Sequence, residues 1–289
     1  MTAPDWLRLN WGRWGADDQR GTLNYITPEV TQAAARLVRR GVTYDLGTTV
    51  ETAAPRTAAR LPTIRSTRRR GGATGRAFGD DYVTLNTHTS THVDSLAHVW
   101  WDGQLYNGHD AEVHVTSWDG ATRNGIETMG GFATRGVLLD VAGHRGVSHL
   151  PHGHRISARE LEDTAQAQGV TVRSGDALLV RTGWIRVWSE DRERFLRDTP
   201  GLGEDGMLEY LHGHQVAALG ADNVAVEAWD PGVVIPLHTP LIRGFGLVLL
   251  ELLDLERLAA DRVHEFLFTA SPLRITGALG SPLNPLAVA

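Results

Sequence analysis

Three apolar runs, from residue 136 onward, constrain the fold of this chain more than any other sequence feature. They cover residues 136–141, 177–181 and 244–253, and each has the composition of a buried strand. The sequence therefore predicts a central sheet to which these three segments contribute.

Helical patterns alternate with the predicted strands. Residues 28–40 follow a threonine that can cap a helix, begin with a proline and end before a glycine. Residues 157–169 begin with a Ser-x-x-Glu capping box and end at a glycine, and residues 255–260 suggest a shorter helix. Strands and helices that alternate without a linker or repeat predict an α/β protein with a mixed central sheet. We expect a single domain over residues 1–289.

Residues 51–80 form a long excursion from this pattern. They are rich in Ala, Arg, Thr, Gly and Pro, and they contain a dense basic run at Arg65 and residues 68–70. We expect the basic run to lie in a solvated, mobile loop. A loop this long in an enzyme is often a lid or a subunit contact, so the segment is a candidate for either role.

Composition excludes several classes of protein. The formal net charge of −6 argues against a nucleic-acid partner, which would favour a basic face. The chain has no cysteine, which excludes disulfides, a thiol nucleophile and thiolate metal ligands. It also lacks a Gly-x-Ser-x-Gly elbow and a phosphate-binding loop. Because there is neither an apolar leader nor a run approaching about 18 apolar residues, we expect a cytoplasmic protein with no membrane partner.

Residues 88–98 contain three histidines and one aspartate. Imidazole nitrogen and carboxylate oxygen are ligands that Zn²⁺ or Mn²⁺ accepts. On an extended backbone, His88, His92, Asp94 and His98 would share one face, because side chains alternate with a period of two. The alternative is a polar strand with surface histidines, but the density of ligand-type residues favours a metal site.

The same residues resemble the motif of a known family. The pattern His-x-Gly-Thr-His-x-Asp-x-Pro-x-His marks the metal-dependent cyclase family of hydrolases, which includes bacterial kynurenine formamidases and isatin hydrolases. Two positions depart from it, with Ser90 in place of the glycine and Leu96 in place of a frequent proline. The serine either narrows the pocket or adds a hydroxyl near the metal. Further similar segments follow the order of the family along the chain, at residues 10–24, 101–103, 106–108, 174–184, 222–227, 238, 251–255 and 280–285.

This resemblance implies a swivelling β/β/α fold and a catalytic metal site. The implied ligands are His88, His92 and Asp94, and three protein ligands leave positions open for water and substrate. The implied cofactor is a divalent metal, Zn or Mn, as one or two ions. The family histidine that matches His98 accepts and donates a proton; a ligand or orienting role is the alternative for His98.

A second pair of implied ligands lies late in the chain. In kynurenine formamidase-like members, a histidine and a glutamate comparable to His238 and Glu251 complete a second metal site, with the motif aspartate as a bridge. Glu251 lies in an apolar run, where an isolated charge is costly to bury, so it needs a metal, an imidazole or an arginine as partner. A salt bridge with Arg181 or Arg243 is the purely structural alternative. This glutamate is followed by Leu252, where those formamidases have asparagine.

Aromatic residues are candidates for substrate binding. Trp11, Trp14 and Trp101 offer flat faces suited to a ring substrate, although packing against the sheet explains each of them equally well. Asp222 and Glu227 either support the metal ligands or form salt bridges.

The implied activity is hydrolysis of a C–N bond in a cyclic amide of the isatin type or in an N-formyl arylamine. Metal-bound hydroxide would attack the carbonyl carbon, and His98 would carry the proton to the leaving nitrogen. The alternatives are a metal-dependent cyclisation or dehydration in polyketide-type biosynthesis and a non-catalytic metal-dependent binding protein. The family also implies a homo-oligomer, a dimer or tetramer, in which residues 51–80 or the N-terminal tryptophan segment complete a neighbour's pocket.

Overall fold

The computed structural model describes residues 9–72, 75–197, 199–229 and 236–289. The expectation that no apolar leader begins the chain concerns residues 1–8, which lie outside these ranges. None of the helices in the described ranges combines the length and the apolar character that crossing a membrane requires.

Most of the strands in the described ranges are short. In chain order they are β1 (Thr43–Asp45), β2 (Ile64–Gly71), β3 (Ala77–Thr84), β4 (His92–Asp94), β5 (Val115–Thr116), β6 (Gly120–Ala121), β7 (Phe132–Asp140), β8 (Arg155–Ile156), β9 (Ala177–Arg181), β10 (Gly201–Leu202), β11 (Ala218–Ala221), β12 (Val248–Glu251), β13 (Glu265–Ala270), β14 (Gly280–Pro282) and β15 (Leu286–Val288).

Helices connect and cover these strands. They are α1 (Pro28–Ala35), α2 (Ala111–His114), α3 (Ile126–Met129), α4 (Val141–His144), α5 (Ala158–Gln168), α6 (Ile185–Glu190), α7 (Arg192–Phe195), α8 (Met207–Gly213) and α9 (Glu256–Ala260). Two 3₁₀ turns, Gly21–Tyr25 and Tyr106–Gly108, and one π-helical segment, Thr239–Phe245, complete the set.

Nine of the strands form one mixed sheet in the order β1-β15-β13-β7-β9-β11-β12-β4-β14. Four neighbouring strands of this sheet, β7, β9, β11 and β12, run parallel to one another. The other neighbours in the sheet pair antiparallel. Every residue of β9, β11 and β12 is buried, as expected for parallel strands covered on both faces. Helices α1, α5 and α9 pack against β7. The predicted α/β class with a mixed central sheet is confirmed.

The capping signals correctly predicted both ends of α5 and the beginning of α1, but not the end of α1. The Ser157 hydroxyl caps α5, and Gly169 ends this helix with a left-handed φ of 70°. Thr27 caps α1 as expected, but α1 ends at Ala35 and does not continue to residue 40. After Ala35 the amides bond to carbonyls three residues back, so the chain tightens out of the α-helix.

The predicted strand over residues 244–253 is correct only for its second half, β12. Its beginning belongs to the π-helical segment, whose last residue is Phe245. The next residue, Gly246, caps this segment in the left-handed conformation with a φ of 68°. That turn directs the chain into β12. The π-helix separates a buried histidine, His238, from the strand that carries Glu251.

The segment 51–80 is not a continuous loop, which corrects the prediction for its basic run. Strands β2 and β3 pair antiparallel, from Ile64 opposite Thr84 to Gly71 opposite Ala77. Every residue of both strands is exposed, so the arginines are solvated but lie in a strand. Polar residues on both faces removed the alternation that would have indicated this hairpin.

Candidate metal centre

Two adjacent strands carry the centre of the site. His92 and Asp94 are two residues apart on β4, so their side chains point to the same face of the sheet. Strand β12 pairs antiparallel with β4 and places Glu251 directly opposite His92. His92 Nε2 lies 3.5 Å from Glu251 Oε2 and 3.7 Å from Asp94 Oδ1, and all three residues are buried. The register therefore sets an imidazole between two carboxylates.

His88 joins this group from the turn before β4. Its Nε2 lies 3.4 Å from Asp94 Oδ1. Strand β14 places Gly280 opposite Asp94, and a Cβ atom on Gly280 would lie only 2.6 Å from His88 Nε2. The glycine thus makes room for the imidazole. The prediction of a fully extended motif is wrong here, since Ser90 has a left-handed φ of 59° and His88 reaches the site from a turn.

His238 enters the site from the start of the π-helical segment. Its Nε2 lies 3.3 Å from Glu251 Oε1 and 3.9 Å from Asp94 Oδ2. Glu227 holds the opposite side of the ring, because its Oε1 lies 2.6 Å from His238 Nδ1 and accepts the His238 backbone amide at 2.9 Å. The second oxygen of Glu227 accepts the amide of Leu237 at 2.8 Å. This carboxylate fixes both the ring and the backbone that carries it.

The pKa of His238 reflects that arrangement. Burial alone would lower the pKa of this imidazole, but its hydrogen bonds to Glu227 and Glu251, together with the charges of these carboxylates, raise the pKa to about 10. A histidine whose Nδ1 proton is held by a carboxylate presents Nε2 as a strong metal ligand. Glu227 thus supports a candidate ligand, which matches one of the two roles considered for it from the sequence.

His98 lies in the turn after β4 and stacks on His88, with ring centroids 4.2 Å apart. A ring nitrogen of His98 is within 4.8 Å of ligand-type atoms of His88 and Asp94. Burial lowers the pKa of His98 to about 3 and that of His88 to about 2, with the charges of neighbouring groups as smaller influences. Both imidazoles are therefore neutral near pH 7, the form that accepts a proton or binds a metal.

Several buried atoms of the cluster have no hydrogen-bond partner within the described part of the chain. They are His88 Nε2, His92 Nε2, both Asp94 carboxylate oxygens and Glu251 Oε2. Asp94 Oδ1 lies 3.4 Å from His88 Nε2 and 3.7 Å from His92 Nε2, and Glu251 Oε2 lies 3.5 Å from His92 Nε2. These distances are long for hydrogen bonds. They resemble the spacing of about 3.4 Å between two ligands that each lie ~2.1 Å from a tetrahedral ion. These residues fit a divalent metal.

The donor atoms form two groups that share one carboxylate. Asp94 groups with His88 and His98 on one side, and with His92 and Glu251 on the other. Burial and the neighbouring charge of Glu251 raise the pKa of Asp94. Burial alone would also raise the pKa of Glu251, but the hydrogen bond from His238 and the adjacent imidazole charges lower it. A metal would take the place of the proton that Asp94 otherwise holds.

Strained backbone borders the cluster. Ser90, Ala225, Val226 and Leu252 have φ values of 59°, 74°, 61° and 58°, a region that costs most residues about 1–2 kcal/mol. Ser90 stands where the family motif has glycine, and Leu252 stands where the kynurenine formamidases have asparagine; these are the residues that tolerate this conformation best. The Ser90 hydroxyl donates to the carbonyl of Thr49 at 3.3 Å, so it bonds to the backbone. Such strain concentrates at functional sites in proteins.

The arginine alternatives for Glu251 are not realised. Arg181 pairs with Asp140 and Glu256, and Arg243 donates to Gln104. Imidazoles are the partners of Glu251, as the burial argument allowed.

Asp222 has a structural role in the described chain. Its carboxylate accepts the amides of Thr182 and Gly183 and the hydroxyl of Thr182. It holds the end of β9. Among the described residues it bonds to no candidate metal ligand and forms no salt bridge, so neither role considered for it from the sequence is seen.

The three candidate tryptophans do not form one group. Arg243 lies over the rings of Trp11 and Trp101, 4.6 and 5.8 Å from their centroids, and Trp11 donates to the Arg243 carbonyl. Trp14 instead packs edge-on against Tyr25 at 5.0 Å. A substrate-binding role stays a prediction for all three.

Comparisons with known proteins place this chain among cyclase-like proteins. A family model described as "Putative cyclase" matches residues 42–228. Cyclase-like protein 3 of Oryza sativa subsp. japonica is 29% identical over 215 residues, which cover 73% of this chain and 66% of that protein. Cyclase-like protein 2 of Arabidopsis thaliana is 28% identical over 217 residues, covering 73% and 65%. The matched region is slightly less than two thirds of the length of either relative.

Solved structures share the fold. A crystal structure of a novel cyclase matches with a TM-score of 0.91 at 36% identity and covers 99% of both chains. Isatin hydrolase A from Ralstonia solanacearum matches with a TM-score of 0.65 at 24% identity, covering 90% of this chain and 97% of that one. The latter similarity shows a common fold. With the family model matching well over half of its residues, this chain belongs to the cyclase family.

Proposed function

We propose that this protein is a metal-dependent hydrolase that cleaves a C–N bond in a cyclic amide or an N-formyl arylamine. The observation that carries the proposal is the convergence of unpartnered, buried ligand atoms from His88, His92, Asp94 and Glu251 beside the neutral imidazole of His98. A structural metal site would have no need of an adjacent proton acceptor. The isatin hydrolases with the same fold make a cyclic amide the first substrate to test.

A divalent metal would supply two effects here: it lowers the pKa of a coordinated water and polarises a carbonyl oxygen. His88, His92 and Asp94 would hold it, with Zn or Mn suited to this nitrogen and oxygen set. His238 and Glu251 would hold a second ion. Asp94 lies close to both sets, since its Oδ1 is 3.4 and 3.7 Å from Nε2 of His88 and His92, and its Oδ2 is 3.9 Å from His238 Nε2.

His98 would move the proton. Its ring nitrogen lies close enough to the donor atoms of His88 and Asp94 to accept a proton from the attacking water. It would then pass that proton to the nitrogen that leaves when the C–N bond breaks. The ring of His98 packs on the ring of His88 with a tilt of 30°. This contact would restrict rotation of the His98 ring and so orient the nitrogen that accepts the proton.

The test is a comparison of wild-type protein with His98→Ala, using isatin and N-formylkynurenine as substrates. We expect the variant to keep its metal content by elemental analysis and to lose about 10²–10⁴-fold in kcat, the usual share of general acid–base catalysis. Full turnover by His98→Ala would refute the role of His98. Metal without cleavage of either substrate would favour the cyclisation alternative, and absence of metal-dependent turnover on any amide would favour a binding protein.

We also propose that a second copy of this chain packs against the β2–β3 hairpin. The register places Ile64, Phe78 and Tyr82 on one face of the hairpin, where they are 61%, 61% and 60% exposed. A two-stranded hairpin exposed on both faces is at best marginally stable in water. Arg68 and Asp80 lie opposite each other on this same face, whereas Asp81 pairs with Arg65 on the other face. Arg68 and Asp80 therefore suit pairing with Asp80 and Arg68 of an identical hairpin about a two-fold axis.

Light scattering after size exclusion tests this pairing. We expect a dimer or larger assembly for the wild type and a smaller species for Phe78→Arg. Val113→Arg is the matched control, since Val113 is also 61% exposed but lies on α2. A monomeric wild type, or an assembly unchanged in Phe78→Arg, would contradict the proposal.

A further inference from the structure

The segment that precedes the hairpin, residues 51–63, covers the turn that carries His88. The Ser90 amide donates to the carbonyl of Pro55 at 3.0 Å, and Arg60 Nη1 donates to the carbonyl of His88 at 2.5 Å. Arg60 is half-buried. Its guanidinium is therefore anchored on the backbone of a candidate metal ligand while part of it stays accessible.

Within the described chain, the hydrogen bonds of Arg60 occupy only a small part of its guanidinium. Within the described ranges, the His88 carbonyl is the one acceptor that its guanidinium contacts, and no carboxylate pairs with it. A guanidinium has five N–H donors, so most of its hydrogen-bonding capacity is left for another group.

We infer that Arg60 forms an anion-binding subsite beside the metal centre, and that the substrate carries a carboxylate near the C–N bond that is cleaved. This inference rests on the proposed hydrolase function. A planar guanidinium matches the two oxygens of a carboxylate, and a site beside a candidate ligand would orient the substrate relative to the reacting carbonyl. Nothing in the family motif points to Arg60, which lies 28 residues before His88.

An N-formyl derivative of 2-aminobenzoate represents this substrate class. Hydrolysis joins the oxygen of water to the formyl carbon and breaks the bond from that carbon to nitrogen. The nitrogen gains one proton, and the products are 2-aminobenzoate and formate. The ring carboxylate is unchanged, so its contact with Arg60 persists from substrate to product.

Calorimetric binding of 2-aminobenzoate to the zinc-loaded protein tests the subsite without requiring turnover. We expect Arg60→Gln to weaken binding by about 10- to 100-fold, the loss of a hydrogen bond to a charged group. Arg60→Lys should retain part of the affinity. Arg159→Gln is the control, since the Arg159 side chain is exposed on α5, away from the hairpin and the donor cluster. No binding to the wild type, or equal binding to Arg60→Gln and the wild type, overturns the inference.

Hydrolysis then separates this inference from the proposed function. We expect N-formyl-2-aminobenzoate to be cleaved with a kcat/KM at least ~10-fold above that of formanilide, which lacks the carboxylate, and this ratio should fall in Arg60→Gln, mainly through KM. Equal cleavage of both compounds would refute the subsite and leave the hydrolase proposal standing. Cleavage of neither compound, together with Arg60-dependent binding of 2-aminobenzoate, would refute these substrates and keep the subsite.

Discussion

Substitution of Glu227 by glutamine tests how the site holds its distal ligand. The carboxylate accepts three hydrogen bonds, from His238 Nδ1, the His238 amide and the Leu237 amide. Glutamine has nearly the same shape, but its NH₂ group must face one of these N–H donors. At least one buried donor then loses its acceptor, which costs about 1–3 kcal/mol. We expect the apparent affinity for zinc to fall about 10- to 100-fold, the usual effect of removing a group that orients a metal ligand.

The affinity is measured by competition with a chromophoric chelator, and the stability of the metal-free protein by urea unfolding. Glu160→Gln is the matched control, because Glu160 accepts a hydrogen bond from His154 at 2.9 Å, remote from the donor cluster. This variant should keep wild-type affinity for zinc. A folded Glu227→Gln protein that binds zinc as tightly as the wild type would refute the reasoning, because His238 would then need no orienting carboxylate.

Three further predictions follow from single contacts. Gly280→Ala should weaken zinc binding at least ~10-fold with little loss of stability, because the new Cβ would displace the tip of the His88 side chain and no backbone atom. A zinc affinity equal to that of the wild type in chelator competition would contradict this prediction. Ser90→Val should lower the urea-unfolding free energy by about 2 kcal/mol or more, since a β-branched residue is strained at a φ of 59°; an unchanged midpoint would count against that strain. Glu256 has a pKa below its ordinary value of 4.5, because hydrogen bonds from Arg181 and Arg186 outweigh the effect of burial. Its stabilisation is present above that value and is lost as the pH falls, so Glu256→Gln should be less stable than the wild type by about 1–2 kcal/mol near neutrality and by less in acid; a pH-independent difference would refute the assignment.

Sequence patterns predicted those parts of the fold that depend on local signals. The capping box and terminal glycine of α5, and the apolar run of β9, each determine one element within a few residues. The hairpin escaped prediction because its arginines and aspartates occupy both faces, and burial therefore imposes no period of two.

The site was predictable where its residues are close in sequence or costly to bury. The spacing of His92 and Asp94 on one strand follows from the pleat, and the burial of Glu251 requires a partner. The contact of Glu227 with His238 joins residues eleven apart through an irregular turn, for which no periodic signal exists. The Arg60 contact with His88 likewise depends on how a loop folds back, and no local pattern encodes that.

Two departures from known members of the family acquire a physical meaning in the structure. Ser90, in place of the motif glycine, lies two residues before the candidate ligand His92, and Leu252, in place of the asparagine of the kynurenine formamidases, follows the candidate ligand Glu251. Both keep the left-handed backbone without the residue best suited to it. The surrounding hydrogen bonds hold these conformations, as in the bond from the Ser90 hydroxyl to Thr49. The sequence left two roles open for the Ser90 side chain, a narrower pocket or a hydroxyl near the metal. The hydroxyl bonds to the Thr49 carbonyl, and a narrower pocket stays a prediction.

The central claim is that the buried cluster of histidines and carboxylates holds a divalent metal. Elemental analysis of protein purified without chelators, in parallel for the wild type and His92→Ala, tests it most directly. We predict about one or two equivalents of zinc or manganese in the wild type and a loss of bound metal in the variant, since His92 lies between Asp94 and Glu251. A metal-free wild type, or a His92→Ala protein with the full metal content, would contradict this account.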